Sequence, residues 1–285
     1  MNPFSLSESM TPQRPQRVVK ASWIHFLLII ALLVLSAEAN AITEVRNIPT
    51  RPGVTLEFLF MSPEGTTGPH ALILFPGGNG TRPFRLLEGG AVHGWNFLVR
   101  SAPDLLAHGF TLAIVSPPSD HSTGMSGDFR ESAEHARDVE ELAYYLETQG
   151  YKHVFLVGNS RGTLSAAALA ARMPDNRIAG VILTSSLEYD NFMRRLPLEK
   201  VRQPVLMIHN REDSCRVSTF SEALRTRDKL KLHTSVEFVE VSGGAASMSL
   251  PCDNLSTHGF FGIEEKVVRV IADWIKGQKV PDKID

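Results

Sequence analysis

Six short apolar runs set the terms on which this chain can fold: ALILF at 71–75, TLAIVS at 111–116, HVFLVG at 153–158, GVILTS at 180–185, VLMIH at 205–209 and VEFVEV at 236–241. Glycine-, proline- or asparagine-rich loops and longer amphipathic stretches separate them. A strand apolar on both faces must be covered on both faces, and strands that alternate with helices pair in parallel. The spacing therefore predicts an α/β fold, a mostly parallel central sheet with helices on both faces.

The segment before the first run reads differently. AITEVRNIPTRPGVTLEFLFMSPEG, residues 41–65, alternates apolar and polar residues around the turn signal Arg51-Pro52-Gly53, which predicts an N-terminal antiparallel hairpin. Among the helical stretches, RESAEHARDVEELAYYLETQG places Ala133, Ala136, Val139, Leu142, Ala143 and Leu146 on one face and stops at Gly150. EEKVVRVIADWIKGQ supplies a closing amphipathic helix. With no internal repeat and no linker, residues 42–285 are expected to form a single domain.

Residues 1–41 have another purpose. Arg14, Arg17 and Lys20 precede the apolar stretch FLLIIALLVLSA at 26–37, and Ala39-Asn40-Ala41 offers the small residues that a signal peptidase reads. The expectation is a cleaved signal peptide and a periplasmic or secreted protein, with no membrane association after cleavage. Its apolar core falls short of the roughly 20 residues needed to span a bilayer, although an uncleaved anchor is the alternative. A net charge of -2 without a basic run excludes nucleic acid as the main partner. The two cysteines, Cys215 and Cys252, are expected to pair as a structural disulfide, as an isolated pair in an exported chain does.

Against that frame of strands, Gly158-Asn159-Ser160-Arg161-Gly162 falls where the apolar run at 153 gives way to the small-residue helix pattern SAAALAA. In a parallel sheet, ligands sit beyond the carboxyl ends of the strands. A sharp strand-to-helix turn raises a serine hydroxyl there, and crowding leaves room for little more than glycine two residues before and two after. A hydroxyl is a weak nucleophile near neutral pH, so Ser160 needs a base, an orienting carboxylate and donors for an oxyanion.

Each partner is expected at the carboxyl end of a different strand, in the chain order serine, acid, histidine. The loop after the run at 205 carries Glu212 and Asp213; Asp213 is the candidate, its shorter side chain holding an imidazole more rigidly, and Glu212 is the rival. His258, in STHGF before the closing helix, is the candidate base. His209 precedes the acid and His121 precedes the serine, which leaves both as out-of-order rivals. For the oxyanion hole, Gly77-Gly78-Asn79-Gly80 after the first run exposes backbone amides, and the expected donors are the N–H group of Gly78, with that of Asn79 as the alternative, and the N–H group of Arg161.

These motifs together resemble the alpha/beta-hydrolase superfamily over roughly residues 54–277, and more loosely its dienelactone-hydrolase-like and secreted serine-esterase-like branches. VGNSRG is similar to the nucleophile elbow, FPGGNG to the oxyanion loop, NREDSC to the acid loop and STHGF to the histidine loop. The resemblance implies a Ser-His-Asp hydrolase acting on a small-molecule carboxylic ester. A peptidase or amidase on the same triad, and an exported binding protein with a silent site, are the alternatives. No His/Cys/Asp cluster has metal-ligand spacing, so no cofactor is expected. Two positions depart from the usual pattern: Pro76 stands where many relatives have histidine, and Arg161 is a bulky cation directly after the serine. A cation in the first turn of a helix opposes the macrodipole, so Arg161 is expected to pair with Asp120, Glu188 or another acidic loop residue, or else to hold an anionic substrate. Trp95, Phe84 and Phe129 are candidate substrate contacts, with ordinary packing as the alternative.

Overall fold

A computed structural model describes residues 42–63, 68–173, 176–188 and 192–285. The signal peptide expected over residues 1–41 lies outside them. Among the described residues no helix is long and apolar enough to cross a membrane.

The strands are β1 (Ile42–Arg51), β2 (Val54–Ser62), β3 (His70–Phe75), β4 (Arg85–Leu86), β5 (Val92–His93), β6 (Thr111–Val115), β7 (His153–Asn159), β8 (Ile178–Thr184), β9 (Val205–Asn210), β10 (Val236–Val241) and β11 (Lys283–Ile284). Nine of them form one sheet in the order β1-β2-β6-β3-β7-β8-β9-β10-β11, while β4 and β5 pair separately. The six apolar runs are parallel strands, β11 adds a short parallel strand beside β10, and β1 and β2 are the antiparallel hairpin. The chain thus has the mostly parallel architecture that the spacing predicts. The two-residue strands β4, β5 and β11 are too short to carry a periodic signal.

The helices are α1 (Phe97–Arg100), α2 (Ala102–Ala107), α3 (Gly127–Glu131), α4 (Ala133–Thr148), α5 (Gly162–Ala170), α6 (Phe192–Arg195), α7 (Phe220–Lys231) and α8 (Glu264–Ile275). Side chains alternate across each strand, which divides the interior in two. Ala71, Ile73, Val154 and Leu156 face one layer with α4, α5 and α7, whereas Leu72, Leu74, Phe155 and Val157 face the other with α1, α2 and α8. Helix α4 is capped by the Ser132 side chain, which accepts from the His135 N–H. It buries Ala136, Val139, Leu142, Ala143 and Leu146 as expected. Ala133, in its first turn, is exposed, and three polar residues unanticipated from the pattern, Arg130, His135 and Asp138, are fully buried beside it.

Chain order reverses at β3. The chain runs from β3 outward to β6 on one side, then crosses back to β7 on the other. Phe75 pairs with Gly158, so the loop after β3 and the turn after β7 emerge side by side at the carboxyl edge. This reversal is where open α/β sheets hold ligands.

Candidate active site

Ser160 sits at the turn between β7 and α5 with φ +52°, in the left-handed region that a side chain enters only at a cost of order 1–3 kcal/mol. The flanking glycines explain how the turn closes. A Cβ on Gly158 would lie 2.6 Å from the Gly162 carbonyl oxygen, and one on Gly162 only 1.8 Å from that of Phe75. Every residue of α5 is buried, and its small side chains let it lie against the sheet. The Ser160 amide donates to the Thr184 carbonyl at 3.0 Å.

The three side chains chosen from sequence converge. His258 Nε2 lies 2.9 Å from Ser160 Oγ, and His258 Nδ1 lies 2.8 Å from Asp213 Oδ2. Both His258 and Asp213 are buried, at 3% and 8% exposure. Burial alone would raise the Asp213 carboxyl, but hydrogen bonds from His209 and His258 outweigh it and hold the group below the ordinary carboxylate range. The other Asp213 oxygen accepts from the Cys215 amide at 2.9 Å, and Ser218 Oγ stands 3.2 Å from Oδ2. The rivals are engaged elsewhere: Glu212 accepts from the Gly243 amide, and His121 bonds Asp120 and stacks on Phe129. His209 lies behind the acid, its Nε2 3.5 Å from Asp213 Oδ2 and 3.0 Å from the Ser218 carbonyl.

Several supporting residues went unmarked in sequence because no local pattern distinguishes them. Ser185, itself at φ +46°, donates its hydroxyl to the His258 carbonyl at 2.7 Å and so holds the histidine loop. Asn96 donates to Asn159 Oδ1 at 2.8 Å, and Asn159 donates to Thr184 Oγ1 at 3.2 Å. Gly77 stands directly against the serine, where a Cβ would lie 3.0 Å from that of Ser160. Cys215 and Cys252 are joined by a disulfide, which links the acid loop to the segment leading to His258.

Ser160 and His258 open onto a cleft of about 260 Å³ whose wall includes Pro76 and the Gly77–Gly80 loop. Among the described residues, neither the Gly78 nor the Arg161 amide has a hydrogen-bond acceptor in the protein. Gly78 takes φ +66°, a conformation in which glycine is at ease. Asn79 also lines the cleft, its side chain accepting from the Thr81 amide. Trp95 is on the wall and 58% exposed.

At two positions the packing decides between the alternatives or removes one of them. Phe129 is 7% exposed and stacks with His121, so it is a packing residue and not a cleft wall. Arg161 pairs with neither acid proposed for it, because Asp120 is taken by Arg51 and Glu188 faces Arg194. One group among the described residues, Asp213, Cys215 and His258, brings three potential metal ligands within 4.8 Å. Its sulfur is in the disulfide and its imidazole already bonds the carboxylate, which leaves no thiolate to bind an ion.

A family profile described as the alpha/beta hydrolase fold matches residues 70–208, from β3 into β9. Among solved structures, esterase Pf2001 of Pyrococcus furiosus superposes with a TM-score of 0.59 at 13% identity, covering 84% of this chain and 93% of that one. An alpha-beta serine hydrolase homologue from Coxiella burnetii gives 0.55 at 18% identity over 80% and 95%. An acylaminoacyl peptidase gives 0.57 at 15% identity, over 90% of this chain and 44% of its own length. Comparison with curated proteins by sequence gave no match. At these identities the structural likeness is one of fold.

Proposed function

The chain belongs by fold to the alpha/beta hydrolases, and on that premise we propose that it is an exported serine hydrolase that cleaves a carboxylic ester through an acyl-enzyme. The observation that carries this reading is the continuous line from Asp213 through His258 to Ser160, with 2.8 and 2.9 Å between successive polar atoms. In this reading Ser160 Oγ attacks the ester carbonyl as His258 Nε2 takes its proton. Asp213 keeps the imidazole in the tautomer that presents a bare Nε2 and stabilises the imidazolium that forms. Backbone N–H groups of Gly78 or Asn79 and of Arg161 receive the oxyanion. The histidine then protonates the leaving alcohol, and water, activated by the same Nε2, releases the acid and restores the serine.

The cleft supports a modest substrate. Its wall combines Asn79, Thr81, Arg82, Asn96, Asp253 and Asn254 with two prolines and Trp95, polar and apolar surface in nearly equal shares, around a volume of about 260 Å³. The test is labelling with a fluorophosphonate probe followed by turnover of nitrophenyl esters and peptide anilides. Labelling of the wild type and its loss in Ser160→Ala support a serine hydrolase; ester turnover exceeding anilide turnover supports the esterase reading. Labelling with anilide turnover alone would make it a peptidase or amidase. A folded protein that resists the probe would be a binding module.

A further inference from the structure

Arg130, in the last turn of α3, is fully buried, yet no carboxylate among the described residues lies within ion-pair distance of it. The nearby buried acid on α4, Asp138, is committed to Arg51 and Thr50. A buried guanidinium ordinarily keeps a carboxylate partner, because an isolated charge is costly to remove from water. Here the guanidinium donates through Nη2 to the Gly78 carbonyl at 3.3 Å and through Nη1 to Ser165 Oγ at 2.9 Å. Ser165 lies on α5, directly behind the Ser160 turn, and its hydroxyl stands 3.0 Å from His135 Nε2. The order of donors is consistent: the cation donates to the serine, and the serine donates to a bare Nε2. Burial and the neighbouring Arg130 charge hold His135 neutral, its pKa lowered to about 3.

We infer that Arg130 is a positioning residue for the reaction proposed above, anchoring the oxyanion loop from behind through the Gly78 carbonyl. The inference rests on the serine-hydrolase reading. The geometry adds an attachment at Gly78 to those at Asn79, whose carbonyl accepts from the Met125 amide at 2.8 Å and whose Oδ1 accepts from the Thr81 amide at 3.0 Å. Gly78 and Gly80 both lie at positive φ, and a Cβ on Gly80 would meet Arg130 Nη2 at 3.3 Å. Gly77 and Gly78 have no side chains of their own to lock the peptide planes that precede Asn79. The Gly78 carbonyl is held inward, and in a trans peptide the N–H of Asn79 then points the opposite way, away from the cation. Preorganised donors stabilise an oxyanion without reorganising as charge develops. A fixed cation behind them also favours that charge electrostatically, in surroundings that water does not screen.

The test compares Arg130→Met, Arg130→Lys and Ser165→Ala with the wild type in the full chain, with thermal melting as the check on folding. Turnover is expressed per Ser160 labelled by fluorophosphonate, so that unfolded protein does not count. Arg130→Met is expected to lower kcat by about 30-fold with KM changed by less than about threefold, and to weaken a trifluoromethyl ketone, which mimics the oxyanion adduct, by a similar factor. Arg130→Lys should recover part of both losses, and Ser165→Ala should lose about threefold to tenfold of kcat. Should Arg130→Met fail to fold, Arg130→Lys and Ser165→Ala carry the same test. Folded variants that keep wild-type kcat per labelled site and wild-type ketone affinity would overturn the role of Arg130 while leaving the hydrolase reading intact. A wild type that neither labels nor turns over ester would remove both.

Discussion

Cys215 and Cys252 are bonded to each other two residues after the carboxylate and six residues before the imidazole that this carboxylate contacts. The bond therefore closes a ring whose other link is the hydrogen bond between Asp213 and His258. Replacing both cysteines by serine should cost about 4 kcal/mol of stability by the chain-entropy argument for a separation of 37 residues. It should also lower kcat at temperatures where the variant remains folded. Equal kcat per labelled serine in the two proteins would show that the bridge serves stability alone.

Asp213→Asn should preserve the fold and reduce kcat by about four orders of magnitude, because an amide no longer favours the tautomer with a bare Nε2. Glu212→Gln should leave kcat within about twofold, since among the described residues its side chain hydrogen-bonds only the Gly243 amide. A reversed outcome in the ester assay would transfer the acid role to Glu212.

How far these assignments were readable from the chain depends on the range of the interactions. Ser160, Asp213 and His258 were legible because each carries a local context: glycines at fixed offsets, or a loop that follows an apolar run. The principal strands were legible because cover on both faces makes β3, β6, β7, β8 and β9 nearly continuous apolar runs, while β10 keeps enough apolar residues around Glu237 and Glu240 to stand out. Arg130 and His135 were not, since their partners Gly78 and Ser165 lie 52 and 30 residues away and no periodicity announces such pairs. The one available hint was that His135 shares the α4 face of Val139 and Leu142. The absence of an ion pair between Arg161 and Asp120 was hidden for the same reason: the pairing of Asp120 with Arg51 depends on β1, 69 residues earlier in the chain.

The turn at Ser160 should tolerate no enlargement. Gly162→Ala would place a methyl group 1.8 Å from the Phe75 carbonyl, and its destabilisation in urea should be at least about 3 kcal/mol. Gly53→Ala, with open space around its Cβ but φ +74°, should lose only about 1 kcal/mol from backbone strain.

Acid should weaken the fold through His135. Its folded pKa of about 3 lies below the ordinary value of 6.5. Between those values the unfolded chain binds a proton that the native protein excludes, so stability falls as pH drops through that window. The slope contributed is at most about 1.4 kcal/mol per pH unit. Asp213, also lowered, adds a loss of the same sign below the ordinary carboxylate range. His135→Gln should flatten the stability curve between pH 6 and pH 4, measured by urea unfolding, and an unchanged slope would place the titration elsewhere.

Acyl-chain preference follows from the cleft. With a cleft of about 260 Å³, acetate and butyrate esters should exceed octanoate and longer esters in kcat/KM by about tenfold or more. A preference for long chains in solution would require an apolar channel elsewhere.

The order of the strands has a consequence for synthesis. The nucleophile and the glycine loop beside it leave the ribosome with β3 and β7, whereas the carboxylate and imidazole follow only after β9 and β10. On the proposed mechanism a nascent or prematurely released polypeptide carries an alcohol with no base to activate it. Reactivity is thereby postponed until the last third of the chain has been made and has docked.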